Sequence, residues 1–449
     1  MLQGALKYFL SFQPYVMLPI IIFTMAMIFR IKISVALKSA LTLGIAFIGI
    51  FMTFDYFVGI INPVMKAFVA RSGLDFPVLD TGWPPLAGIT WSYSLAPVVL
   101  VLLFVINIIL LVTRLTRTFD IDIWNYWHVI FLAALIHHVT GQAWMALVFS
   151  SISFVLVLKL AEWSAPMVKK MTGMEGICIP HLSGIIHFPI AVVMNLLLDK
   201  IPGLRDLKAD PENLRKKLGL AGEPMIIAFV IGIALGIAGG YEVRELLTLA
   251  FGFSAVVFIL PKMGEILGSS LIPVSEGMKH FIGKHFPHLG ATYVGLDVAV
   301  LISIPAVMVT VVLLMPVSIL LAVVLPGITF IPIGDLTNLM VPVGIITLAT
   351  RGNVVKSFII GIPVVIINLY YASMFAPVVT AMTRNSNYHI PGYDGLFTSF
   401  LDGGNPWRSW LALLLQGDVV SIALAPAVAL LIFITWRVCR RGAVGSDKS

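Results

Sequence analysis

Charge is what this sequence has least of. Asp, Glu, Lys and Arg make up 11% of its 449 residues, against about 25% in an average soluble domain. Hydrophobic residues make up 59% and the mean hydropathy is +1.01. A soluble globular domain is excluded, and a polytopic membrane protein is implied. Cysteine is scarce too. Cys178 and Cys439 are too few for a disulfide framework, and both are expected to be free thiols. The chain has no G-x-x-x-x-G-K-[ST] loop, which argues against ATP hydrolysis by the common route. It has no H-E-x-x-H, and the adjacent His137 and His138 point to different helix faces, so a zinc protease is not expected. No metal or other cofactor is expected. Lys7 and "SFQPY" lead into a first span without a small-residue cleavage site, so no cleavable signal is expected. The net charge of +7 comes from basic residues beside spans, as the positive-inside rule requires, and does not point to nucleic acid.

What is present is a series of long apolar runs. "WSYSLAPVVLVLLFVINIILLVT", Trp91 to Thr113, carries no charged residue over a length that crosses the hydrocarbon core, which takes about 20 residues. No charge occurs between Asp297 and Asp335, where Pro305, Pro316, Pro326 and Pro332 punctuate two expected crossings, so broken or kinked helices are expected there. Crossings are expected near 14 to 30, 37 to 60, 91 to 113, 126 to 158, 175 to 197, 223 to 241, 243 to 260, 298 to 324, 326 to 350, 355 to 378 and 413 to 436, which makes about eleven, each near the length a bilayer demands. The fold class is therefore an all-α polytopic membrane protein. The basic tail "WRVCRRG" places the C-terminus in the cytoplasm. Lys169 and Lys170 then fall on the wrong side, so either the segment from 175 is re-entrant or the span boundaries there differ from those expected.

The basic linker "LDKIPGLRDLKADPENLRKKLG", Leu198 to Gly219, divides the chain as an inverted-topology repeat would. The expected organisation is a first half over 1–197 and a cytoplasmic linker over 198–222. A second half follows over 223–380, then an external loop, last transmembrane helix and tail over 381–449. "PLAGITW" (Pro85 to Trp91) and "PHLGATY" (Pro287 to Tyr293) echo one another ahead of long apolar runs, the place where repeat transporters bind substrate. Two unrelated loop-to-helix caps would give the same echo.

An ionisable side chain in hydrocarbon costs about 2.5–3.5 kcal/mol on the insertion scale, so each one marks a polar cavity or a partnered contact. The candidates are His128, His137, His138, Glu175, His181, His187, Asp297 and Asp335. Asp335 stands in "GITFIPIGDLTNLMVPVG", where Gly and Pro on both sides fit a broken helix at a binding site. Pro180 separates Glu175 from His181, and a hairpin tip presenting Glu175, His181 and Ser183 could bond a polyhydroxylated molecule. Polar groups that simply tie helices together are the competing reading. Most of the tryptophans suit the interfacial belt. Trp91 is singled out as a substrate contact because it ends the echoed motif.

"DIDIWNYWH", "LIHHVTG", "EGICIPH", "GLDVAVL", "PIGDL" and "RGN" occur in this order across the chain. Together they closely resemble the galactitol-specific membrane subunit, enzyme IIC, of the bacterial phosphoenolpyruvate-dependent phosphotransferase system, and more distantly its ascorbate permeases. The resemblance implies a sugar-alcohol permease of the inner membrane that moves galactitol inward while a phosphocysteine on a cytosolic IIB subunit, itself charged through IIA, phosphorylates it. It implies a homodimer with core and dimerising domains, built from inverted repeats and moving as an elevator. It also implies sugar contact at His128, His181, Asp297 and Asp335, and at Glu175 and His137. Val298, and Leu182 with Ser183, depart from the family pattern and bear on which polyol fits.

The mechanistic expectation is that Asp335 or Glu175 takes the hydroxyl proton, His181 steadies the phosphate and Asp297 binds hydroxyls. The linker bases Arg205, Arg215, Lys216 and Lys217 could dock an acidic face of IIB or simply control topology. An ion-coupled secondary transporter using Asp297 and Asp335 is the alternative.

Overall fold

The computed structural model describes residues 14–72, 76–205, 207, 209–285, 292–385 and 394–446. Among them, six helices are long and apolar enough to cross a membrane: Ile33–Ile61, Ala143–Thr172, Val243–Val274, Pro305–Val324, Val354–Arg384 and Val419–Arg440. A seventh span results if Pro84–Ser92 and Ala96–Val112, which meet at 91°, are one broken crossing. Leu18–Ile28, Leu182–Leu198, Pro224–Gly239 and Leu336–Ala349 are shorter apolar helical stretches. The chain is thus helical and polytopic.

Several expected crossings differ in detail. The run from 126 to 158 is two helices, Ile123–Thr140 and Ala143–Thr172, because Gly141 takes a left-handed φ of 68° that ends the first of them. The run from 91 to 113 turns between Ser92 and Ala96, so Trp91 belongs to the short arm. The stretch Pro326 to Asp335 is non-helical and leads into a 3₁₀ turn, Leu336–Leu339, and the helix Met340–Ala349, as its Pro and Gly residues imply. Most of the second half of the echoed motif, residues 286–291, lies outside the described residues. Its Tyr293 is in a strand whereas Trp91 is helical.

The order of elements recurs. Pro14–Ile28 and the 40-residue helix Ile33–Ser72 precede a strand, and so do Pro224–Gly239 and the 43-residue helix Val243–His285. These four helices pack together. Each of these strands is followed by a short helix, two further helices, then a 30- or 31-residue helix, Ala143–Thr172 or Val354–Arg384.

Among the described residues, five short strands interrupt the all-helical pattern: β1 Val78–Asp80, β2 Thr118–Asp120, β3 Ile177–Cys178, β4 Tyr293–Gly295 and β5 Leu396–Thr398. β1 pairs in parallel with β5, and β4 lies between β2 and β3, parallel to both. The strand after each long helix therefore pairs with the last strand of the other part. The Val78 amide also donates to the Thr329 carbonyl at 3.2 Å, and the Tyr293 amide to the Arg117 carbonyl at 2.7 Å. Backbone broken by Pro and Gly at membrane depth must find hydrogen bonds inside the protein. These ladders supply them, and they bring the loops after all five strands together.

Candidate functional site

A cavity of about 440 Å³ opens where the four packed helices meet the rest of the chain, within the range of about 300–1,000 Å³ typical of small-molecule sites. Leu18, Phe47, Ile50, Asp55 and Leu260 form one wall. The other wall comes from the loops after the strands: Trp83 after β1, His181 and Ser183 after β3, Asp297 after β4, and Leu401 and Asp402 after β5. Trp127 and His128, on the helix Ile123–Thr140, complete it. The Trp83 and Trp127 rings lie 6.3 Å apart at 45°.

The polar centre of the cavity has a definite hydrogen-bond sense. Arg408, on Pro406–Leu415, is 1% exposed and pairs with the Asp402 carboxylate at 2.8 Å. Its Nη2 donates to His128 Nδ1 and to Ser183 Oγ, both at 3.0 Å, and Ser183 in turn donates to Asp402 Oδ1. A guanidinium can only donate. His128 Nδ1 is therefore an acceptor and its proton sits on Nε2, which donates across 3.0 Å to His181 Nε2. That leaves the His181 proton on Nδ1, an atom that is buried and has no protein partner. On the other side of His181, Asp297 Oδ2 is 3.8 Å from Nε2, while Oδ1 is held by the Ala299 amide at 2.8 Å. Asp297 Oδ2 and the Nε2 edge of His181 thus lie together at the cavity wall, beside two indole rings, while His181 Nδ1 is enclosed in protein. This is the equipment for binding a small molecule rich in hydroxyls.

Asp335 stands one layer behind. Its Oδ2 accepts from Ser399 Oγ at 2.7 Å and the Leu401 amide at 3.0 Å, and its Oδ1 accepts from Asn338 at 2.5 Å. Asp80 accepts from the amides of Gly82, Asp335 and Phe400. These two buried carboxylates therefore clamp the loop that carries Asp402. A Cβ on Gly334 would overlap the Asp80 carbonyl oxygen. Gly334→Ala is expected to cost about 1–3 kcal/mol through that overlap, read as a lower unfolding midpoint of the detergent-solubilised protein with sugar affinity reduced in parallel.

The remaining sequence candidates lie apart. Glu175 is largely exposed and 3.1 Å from Lys169, at the opposite end of β3 from His181. A shared tip of Glu175, His181 and Ser183 is therefore not what the chain forms. The His137 ring meets the Tyr93 hydroxyl at 3.1 Å, outside the cavity wall, His138 is exposed, and His187 is held by the Gly184 carbonyl. Trp91 packs among apolar neighbours, and neither it nor His137 lines the cavity. Sequence reasoning missed Asp55, Asp80, Asp402 and Arg408. The signal for the last two was "DGGNPWR", a Gly/Pro break with both charges inside an apolar chain.

The family model for the PTS system sugar-specific permease component, EIIC-GAT, matches residues 8–393. The chain is 32% identical over 444 residues, 98% of its own length and 97% of the relative's, to the PTS system galactitol-specific EIIC component of Escherichia coli K12, and equally to that of Escherichia coli O157:H7. It is 31% identical over 421 residues, 94% of its length and 96% of the relative's, to a putative permease IIC component of Escherichia coli K12. With its apolar helices, membership makes it a multi-pass protein of the inner membrane. The chain belongs to the sugar-specific permease component family of the PTS, EIIC-GAT.

Proposed function

We propose that the chain carries galactitol, or a polyol much like it, through the inner membrane and presents it for phosphorylation by a cytosolic phosphocysteine subunit, IIB, charged in turn through IIA. One observation carries the reading: His128, His181 and Asp297 line one cavity with Trp83 and Trp127, Asp297 Oδ2 standing 3.8 Å from His181 Nε2. Polyol hydroxyls donate to Asp297 Oδ2 and pack against the His181 edge, while the indoles cover the carbon chain. In the transfer step the polyol oxygen attacks phosphorus, the S–P bond breaks and the thiolate leaves with its electron pair. The hydroxyl proton passes to a carboxylate.

Asp297 suits that role, since Asp335 spends its oxygens on loop amides and hydroxyls and Glu175 lies outside. Asp335 and Asp80 then act by positioning the loop of Asp402. We further propose that residues 14–198 and 224–415 are inverted repeats. The recurring element order and the reciprocal strand exchange support this. The four packed helices form the dimerising part of a homodimer, and the remainder is a core that moves as an elevator. The C-terminus lies in the cytoplasm, as the basic tail implies.

In membrane vesicles, galactitol uptake is expected to require phosphoenolpyruvate and the cytosolic phosphotransfer proteins and to yield only the sugar phosphate. Accumulation of unmodified galactitol on an ion gradient would instead establish the ion-coupled alternative.

A further inference from the structure

A second cavity, of about 580 Å³, lies away from the polyol site, where the end of Phe188–Leu198 meets the turn between Met340–Ala349 and Val354–Arg384. Arg205, Arg351 and Lys356 line it, with Asp199, Asn195 and Thr350. The linker is stitched to this turn: the Val354 amide donates to the Ala209 carbonyl at 3.0 Å, and Asn353 to the Leu207 carbonyl at 2.5 Å. Arg205 is thereby held over the same space as Arg351. Lys356, 7% exposed, pairs with Asp199 at 2.5 Å. Among the described residues no carboxylate pairs with Arg205 or Arg351. The cavity thus holds three cations against one carboxylate. The Asn195 amide oxygen is buried there without a partner, and Thr350 adds a hydroxyl.

We propose that this cavity binds a phosphate-bearing anion. Two guanidinium groups and an ammonium on neighbouring walls suit several phosphate oxygens at once. Asn195 is left to accept from a protonated phosphate oxygen or from a hydroxyl beside the ester. The same chemistry is offered by a soluble phosphate or by the headgroup of an anionic lipid, since Leu196, Leu197 and Ile201 next to the cavity are exposed and apolar. The site does not depend on the polyol reading.

The test uses the purified full chain and its double variant Arg205→Gln/Arg351→Asn. Asparagine tolerates the left-handed φ of 57° at Arg351, and Lys356 keeps its partner. Inorganic phosphate is expected to raise the unfolding midpoint of the parent protein in detergent above an equal ionic strength of chloride. The double variant is expected to need about tenfold or more phosphate for the same shift, with galactitol affinity unchanged as proof of folding. If phosphate has no such effect but phosphatidylglycerol vesicles stabilise the parent over phosphatidylcholine, and the variant loses that gain, the ligand is the lipid headgroup. If neither probe separates parent from variant, the proposal is overturned. Should the double variant misfold, Arg205→Gln alone, on the exposed linker, is read the same way.

Discussion

Arg408→Ala is expected to abolish galactitol binding and to lower stability by about 3–5 kcal/mol, the cost of stranding one member of a buried ion pair. Arg408 is the single cation in contact with Asp402, His128 and Ser183, and its guanidinium also lies 5.2 Å over the Phe131 ring. Removing it leaves the buried Asp402 carboxylate without its counter-charge. It also frees His128 Nδ1, so the tautomers of His128 and His181 at the cavity wall are no longer fixed. The two losses separate in the double variant Arg408→Met/Asp402→Leu. Deleting both charges is expected to recover most of the unfolding midpoint, because an apolar pair replaces a buried ion pair at little cost, and yet not to recover galactitol binding. Recovery of binding together with stability would show that the pair is only structural.

Asp297→Asn carries the largest expected effect on chemistry. An amide of the same shape still meets the Ala299 amide and a sugar hydroxyl but cannot take a proton. Phosphorylation is therefore expected to fall about 100- to 10,000-fold, with galactitol affinity changed by less than about tenfold. Glu175→Gln should leave both within about twofold, since its partner Lys169 is a surface pair. Asp335→Asn is expected to reduce stability and affinity together, through the loop it clamps, without a separate loss of rate. If Asp297→Asn and Asp335→Asn lose binding and rate in the same proportion, Asp297 is not a proton acceptor.

The parts of this site that were legible in the sequence are those where backbone chemistry is written locally. Pro326, Gly327, Pro332 and Gly334 announce the non-helical approach to Asp335, and Pro180 announces the break before His181, because neither stretch can continue a helix. The isolated acids and imidazoles stand out for the price of charge in hydrocarbon. The strands were invisible because two or three residues are too few to leave an alternating pattern. Gly141, in "HHVTGQ", was passed over because the apolar runs on either side of that polar stretch read as one crossing. Arg408 and His128 lie 280 residues apart, and only the packing of Pro406–Leu415 against Ile123–Thr140 brings them together. Glu175 looked like a tip residue by its distance from His181 along the chain, but β3 lies between them and sends them to opposite ends.

The most direct test is a structure of the protein at saturating galactitol. The sugar is predicted against Asp297 and the cavity edge of His181, beneath Trp83 and Trp127, with Asp402 and Arg408 behind the histidines and Glu175 out of reach. Galactitol resting against Glu175 or Trp91, or anywhere that leaves Asp297 without a sugar hydroxyl, would contradict the assignment.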